Sequence, residues 1–166
     1  MNEDVKYVYL NWEHIETACQ KIYSQMVKDN YKPDCIIGLS RGGVVPARLF
    51  SDYFDVVEDV FSLDVKMYIG IKSALEEAII RPFHDSFHDD VKGKNILVVD
   101  DIWDSGITMK AVLRYLKKEN LTTTTLYWNS KVKDRPDYFA ATTDEGSWTV
   151  FPWEKEETKR ELAKGL

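Results

Sequence analysis

The sequence predicts an α/β fold built on a central, mostly parallel sheet flanked by helices. Three observations carry that expectation. Residues 35–39 (CIIGL) and 96–99 (ILVV) are short, continuously apolar runs, the pattern of strands covered on both faces. Each run leads into a segment of small or polar residues and then a helical pattern, the strand–helix alternation of a parallel sheet. Trp12, Ile15, Cys19, Ile22, Tyr23 and Met26 recur at three- and four-residue steps, giving the first helix an apolar face.

The elements follow in order. Asn11 caps a helix that reaches about residue 29. Lys32-Pro33-Asp34 turns the chain into strand 35–39, Ser40-Arg41-Gly42-Gly43 leaves it, and a helix covers about 44–54. Residues 59–70 read as two short strands or a hairpin arm. Residues 71–93 are the least regular part, and compact domains keep such a segment as a lid or binding loop. Strand 96–99 is followed by DDIWDSGIT (100–108) and a helix to about residue 119. Residues 123–129, 139–143 and 148–151 are further strands, and 154–166 is a charged surface helix.

The 166 residues favour one domain spanning 1–166, and no repeat or linker divides them. Hydrophobic residues make up 44% and charged residues 30%, which excludes a disordered chain. The 22 basic and 28 acidic residues leave a net charge of −6, which argues against nucleic-acid binding. An anionic ligand must then be held by local devices: a metal ion, a helix N-terminus or a few placed cations. Cys19 and Cys35 are too few for a disulfide scaffold or a four-ligand zinc site and read as buried thiols. MNEDVKYVYL lacks a signal-peptide core, and no apolar stretch approaches a membrane span. A cytoplasmic protein with no membrane partner is expected.

In parallel sheets, ligands bind at the carboxyl ends of strands, where both 40–43 and 100–108 lie. Ser105, Gly106 and Thr108 stand where the free N–H groups of a helix N-terminus point outward, a phosphate cradle. Asp100 and Asp101, just upstream, can receive diol hydroxyls or hold Mg²⁺, and Asp104 adds a third carboxylate. A phosphorylated sugar has that pattern of groups. The DDxxD spacing also occurs in diphosphate-binding isoprenoid synthases, but there on helices, and the apolar run and Ser-Gly here break a helix. His84 and His88 have zinc-helix spacing but follow Pro82 and lack the motif's Glu; a solvated loop explains them.

ILVVDDIWDSGIT resembles the phosphoribosyl pyrophosphate (PRPP) motif of the type I phosphoribosyltransferases, with Ser105 in place of the usual Thr. GLSRGGVVP (38–46) resembles that family's pyrophosphate loop. Ser130-Lys131, Arg135-Pro136-Asp137-Tyr138 and WTVFPWE (148–154) are similar to the purine hood of its xanthine-guanine members. The resemblance implies the type I phosphoribosyltransferase fold with a small C-terminal hood over about 130–154 and a flexible lid over about 66–92. It implies a 6-oxopurine salvage enzyme that joins the phosphoribosyl group of PRPP to purine N9 and releases pyrophosphate. The alternative is a non-catalytic PRPP- or nucleotide-binding regulator of the same fold.

Residue by residue, the resemblance assigns Asp100 and Asp101 to the ribose hydroxyls, directly or through Mg²⁺. Asp104 is placed near purine N7 as acid/base or hydrogen-bond partner. Asp104, Ser105, Gly106, Ile107 and Thr108 wrap the 5′-phosphate. Ser40, Arg41 and Gly42 meet the pyrophosphate, with a non-proline cis peptide at or next to Ser40-Arg41. Arg81 is the better lid candidate for pyrophosphate, ahead of Tyr68 and Lys72. Lys131 has only donors and suits the O6 acceptor of guanine, hypoxanthine or xanthine, while adenine presents a donor there. Trp148 stacks on the purine, the Thr149 carbonyl accepts from its edge, Glu154 helps to read C2, and Trp153 is core. The bulky Trp103 is expected to face away from the ligand. The family also implies a homodimer or homotetramer.

Overall fold

In the first helix, Asn11 accepts a hydrogen bond from the His14 backbone N–H, and the His14 ring accepts from Asn11 N. Two orphan donors of the helix start are satisfied this way. Helix α1 (Trp12–Lys28) buries Ile15, Ala18, Cys19, Ile22 and Met26. Trp12, expected on that face, is instead exposed at the helix start. Ile22 is wholly buried, so Ile22→Ala would cost about 2–5 kcal/mol.

The computed structural model describes residues 5–69, 76–82, 84–116, 120–143 and 146–164. Strand β1 (Lys6–Tyr9) precedes α1, which is followed by β2 (Cys35–Ser40) and α2 (Val44–Phe54). Then come β3 (Val60–Ile69), β4 (Glu76–Pro82), α3 (Phe87–Val91), β5 (Asn95–Trp103) and α4 (Ile107–Tyr115). Strands β6 (Asn120–Trp128), β7 (Tyr138–Thr142) and β8 (Ser147–Val150) lead to the last helix, α5 (Lys155–Ala163).

Six strands form the central sheet in the order β4-β3-β2-β5-β6-β7. Every neighbouring pair is parallel except β3 with β4. The mostly parallel α/β sheet is therefore as expected. One core lies between the sheet and α1/α2, around Ile22, Ile36, Phe50, Leu97 and Val99. The other lies under α3 and α4, around Ile37, Phe87, Ile96, Val98 and Val112. Among the described residues, no helix is long and apolar enough to cross a membrane.

Three elements differ from the sequence reading. Of the two readings of 59–70 the hairpin arm holds, as the single strand β3, but much of the segment read as irregular is ordered into β4 and α3. β4 gains its order from the antiparallel ladder to the preceding strand β3, which EEAII by itself does not announce. β5 continues past Val99 to Trp103 because β6 pairs with it there, Ile102 with Tyr127 and Trp103 with Trp128. Finally, β1 was not anticipated: it pairs in parallel with β8, Tyr7 opposite Trp148, in a separate two-stranded sheet. The structure thus joins the N-terminal segment to the 147–150 part of the expected hood.

Candidate functional site

Strands β2 and β5 are parallel neighbours, with Gly38 opposite Val99, so their carboxyl ends emerge side by side. The Ser40–Arg41 peptide is cis, as the resemblance implied. The turn after it presses against the end of β5. A Cβ on Gly42 would lie 1.7 Å from Asp101 Oδ2, so no side chain fits there. Gly42 and the acidic pair therefore form one surface.

Because β5 extends to Trp103, Asp100 and Asp101 stand on a paired strand and not on a free loop. Asp101 is buried and Asp100 half-buried, and Asp101 N donates to Asp100 Oδ1 at 3.0 Å. Burial, reinforced by the charge of Asp101, holds the Asp100 carboxyl well above the usual carboxylate range. Burial raises Asp101 as well. Among the described residues, no Lys or Arg forms an ion pair with either.

Gly106 takes a left-handed conformation (φ 75°) and opens α4. The first intrahelical bond runs from Lys110 N to Gly106 O at 3.0 Å. The N–H groups of the preceding turn are left pointing out of the helix start. Ser105 Oγ lies 3.4 Å from Ile107 N.

Two cavities meet here. One, of about 280 Å³, is lined by Asp100, Asp101, Asp104, Ser105, Gly106 and Thr108, with Trp103 and Thr125 among the rest. The other, of about 290 Å³, is lined by Asn129, Lys131, Trp148, Thr149, Phe151 and Glu154 among others. Ile102 and Asp104 belong to both. Asp104, exposed at the rim, accepts a 2.9 Å hydrogen bond from Asn129 Nδ2. Asn129 Oδ1 accepts from Lys131 N at 3.2 Å. Trp148 is 58% exposed, leaving a ring free to stack. Burial, with the nearby charge of Asp101, raises the Glu154 carboxyl.

The structure thus brings together Asp100, Asp101, Asp104, Ser105, Gly106, Thr108, Lys131, Trp148 and Thr149, with Gly42 against Asp101. Ile107 starts α4 beside the first cavity without lining it. Arg41 turns to the C-terminal helix, its Nη2 lying 2.9 Å from both carboxylate oxygens of Glu157. Arg81 lies opposite Asp64, which lies opposite Ser40. It is level with the cis-peptide loop but two strands away, about 10 Å, and lines neither cavity. The side chain of Tyr68 and all of Lys72 fall outside the described residues. Trp153 stacks on Phe151 at 4.9 Å against the core, as expected.

Trp103 borders the first cavity but is 5% exposed and packs into the core beneath α4, behind Gly106, in keeping with the expectation that it faces away from the ligand. Alternation along β5 breaks at its end: Ile102 joins the core beneath α1 and α2, and the next residue joins the core beneath α4. A strict period-2 count from Val99 would instead place Trp103 with the core beneath α1 and α2. Sequence reasoning missed Asn129 and Glu157. Asn129 carried a signal, since it directly follows β6 at its carboxyl end and directly precedes Ser130-Lys131. Glu157 carried none beyond the charge pattern of its helix.

The family model described as phosphoribosyl transferase domain matches residues 8–157. The chain is 26% identical over 151 residues to a xanthine-guanine phosphoribosyltransferase of Cereibacter sphaeroides, covering 88% of this chain and 86% of that one. It is 25% identical over 189 residues to the hypoxanthine-guanine phosphoribosyltransferase of Saccharomyces cerevisiae, covering 88% and 85%. The crystal structure of a purine phosphoribosyltransferase from Pyrococcus horikoshii superimposes with a TM-score of 0.72 at 30% identity, covering 89% of this chain and 93% of the other.

Proposed function

This chain belongs to the phosphoribosyl transferase family, and on that premise we propose that it is a purine-salvage pentosyltransferase. It moves the 5-phosphoribosyl group of PRPP to N9 of guanine, hypoxanthine or xanthine and releases pyrophosphate. The observation that carries this reading is the pair of adjoining cavities with Asp104 on their shared wall. One offers a helix N-terminus and carboxylates, suited to a sugar phosphate. The other offers an exposed indole face and an ammonium donor, suited to a 6-oxopurine.

In this reading Asp100 and Asp101 hold the ribose hydroxyls, and the 104–108 turn holds the 5′-phosphate. Lys131 and Trp148 fix the base, with the Thr149 carbonyl at its edge. Asp104 stands where sugar and base meet, placed to hold N7 or to take the proton released as N9 bonds to C1. The transition state resembles an oxocarbenium ion, and these carboxylates stabilise its positive charge. Ser40, Arg41 and Gly42 face the leaving pyrophosphate, and Arg81 reaches it only if the β3–β4 arm moves.

The acidic pair fits a hard cation: two adjacent oxygen-ligand residues with no protein counter-ion among the described residues. Asp100 and Asp101 would hold Mg²⁺, which supplies neutralisation and orientation of pyrophosphate when bound. Its remaining ligands would come from water and substrate oxygens.

The test is nucleotide formation from PRPP and Mg²⁺ with guanine, hypoxanthine, xanthine and adenine in parallel. Turnover of 6-oxopurines with adenine inert is expected. Adenine as best substrate would discard the Lys131 assignment. No turnover with any base, alongside tight PRPP binding, would replace the enzyme with a binding protein.

A further inference from the structure

Residues of α1 and α2 line a groove of about 710 Å³ that shares no lining residue with either substrate cavity. Its floor is apolar, made of Trp12, Val44, Val45, Leu49 and Tyr53. Trp12 is 59% exposed, and Val44 is exposed as well. By spacing, Trp12 belongs to the apolar stripe of α1, whose next member, Ile15, is wholly buried. The stripe therefore runs on past the core of this chain. Trp153 packs against the Trp12 ring, with 5.8 Å between ring centres, which limits its freedom before anything covers it. An exposed apolar patch rimmed by polar residues marks an interaction surface. The rim here carries charges of both signs, Glu16 on α1 and Arg48 and Asp52 on α2, all exposed. Arg48 pairs loosely with Asp52 at 3.7 Å and donates to Ser51 Oγ at 3.1 Å. A guanidinium has five N–H donors, so others remain for a second acidic group.

We propose that this groove is the face by which two copies of the chain pair about a two-fold axis. In such an interface one surface meets itself, so its features must match one another. This rim does so, with an acid on one helix and a base on the other. With α1 of one copy against α2 of the next, Arg48 meets the partner's Glu16, and the same contact recurs across the axis. A partner of another kind, itself bearing one sign of charge, calls for a rim of the opposite sign alone. Trp, Tyr and Arg are the side chains that anchor protein interfaces, around an apolar centre with a polar edge. Trp12, Tyr53 and Arg48 stand here in that arrangement. A second copy on this face leaves both substrate cavities open, since the groove shares no lining residue with them. It also covers Val44 and Val45 at the start of α2, where Val45 N donates to Gly42 O at 3.4 Å, and so backs the 40–43 turn.

Sedimentation of the full chain tests the pairing without reference to any substrate. The wild-type protein is expected to run as a dimer, or as a tetramer built from such dimers, at micromolar concentration. Trp12→Asp puts a charge at the centre of the face and weakens the pairing by about thirtyfold or more, halving the size of the particle on dilution. Its far-ultraviolet circular dichroism stays that of the wild type, because the side chain stands outside the core. Arg48→Glu and Glu16→Arg each set like charges against one another and weaken the pairing. The double variant exchanges the two charges and restores it, a recovery that local damage to either helix does not give. A wild-type monomer at these concentrations overturns the proposal and leaves the groove to a different occupant. A folded Trp12→Asp protein that associates as the wild type does overturns it too, because the copies then meet elsewhere. Should Trp12→Asp not fold, the charge exchange decides, and no recovery in the double variant overturns the pairing of this face with itself.

Discussion

Asn129 Nδ2 donates to Asp104 Oδ1 at 2.9 Å, and the same amide accepts from Lys131 N through Oδ1 at 3.2 Å. One side chain at the end of β6 therefore orients the carboxylate of the sugar cavity and the loop carrying the base-side lysine. A hydrogen bond to a charged group is worth about 1.5–3 kcal/mol. Asn129→Ala is expected to lower kcat/KM by about ten- to a hundredfold. Groups that act as one unit are non-additive. The Asn129→Ala/Asp104→Asn double variant should therefore be no slower than Asp104→Asn alone. Steady-state kinetics over the four proteins checks it, and simple multiplication of the single effects would separate the two residues.

Strands 35–39 and 96–99 were legible because burial on both faces leaves an uninterrupted apolar run. The acidic cradle was legible because its residue types are specific to phosphate and diol chemistry. The end of β5 was not, since Asp100 and Asp101 interrupt the apolar run while β6 supplies the pairing that extends it. β1 was missed because it owes its order to β8, a partner strand distant in sequence, and β4 because its acidic start does not read as a strand without the ladder to the preceding β3. The Arg41–Glu157 pair joins residues 116 positions apart, and two charges carry no mark of their partnership in a linear sequence.

That pair makes a second prediction. Arg41 reaches both oxygens of Glu157, and its guanidinium holds the Glu157 carboxyl below the usual range. If Arg41 meets pyrophosphate as proposed, pyrophosphate and Glu157 compete for one guanidinium. Exposed ion pairs are worth about 0.2–1 kcal/mol. Glu157→Gln should therefore lower KM for PRPP by up to about fivefold, and added salt should shrink the difference. An unchanged or higher KM would show that Glu157 presents Arg41 to the substrate and does not withhold it.

Gly42→Ala tests the contact between the pyrophosphate loop and the acidic pair. The new methyl would overlap Asp101 Oδ2 at 1.7 Å, so either the turn or the buried carboxylate must move. Overpacking of this kind costs about 1–3 kcal/mol of stability. Displacing groups by even about 1 Å can cost about a hundredfold in rate. Gly93→Ala is the control: φ is likewise 75°, but nothing lies within 4 Å of its Cβ position. It should lose stability and keep activity. Equal activity losses in the two variants would remove the special role of position 42.

The acidic pair sets how stability responds to pH. Burial and the neighbouring charge raise the Asp100 carboxyl well above its ordinary value of 3.8, and burial raises Asp101. A folded-state value above the unfolded one means that the folded protein binds the proton more tightly. The resulting stabilisation is fully present below the ordinary carboxylate range and is lost as pH climbs through the raised values. Asp100→Asn removes one charge of the pair and keeps its shape. Without divalent cations, Asp100→Asn should match the wild type in acid and exceed it in Tm at neutral pH. Mg²⁺ favours the ionised pair, so it should raise the wild-type Tm at neutral pH and leave Asp100→Asn nearly unchanged. Thermal unfolding of both proteins from acid to neutral pH, with Mg²⁺ and with a chelator, makes the measurement. Parallel Tm curves for the two proteins would mean that residue 100 ionises as freely as a surface carboxylate, which would detach the pair from cation binding.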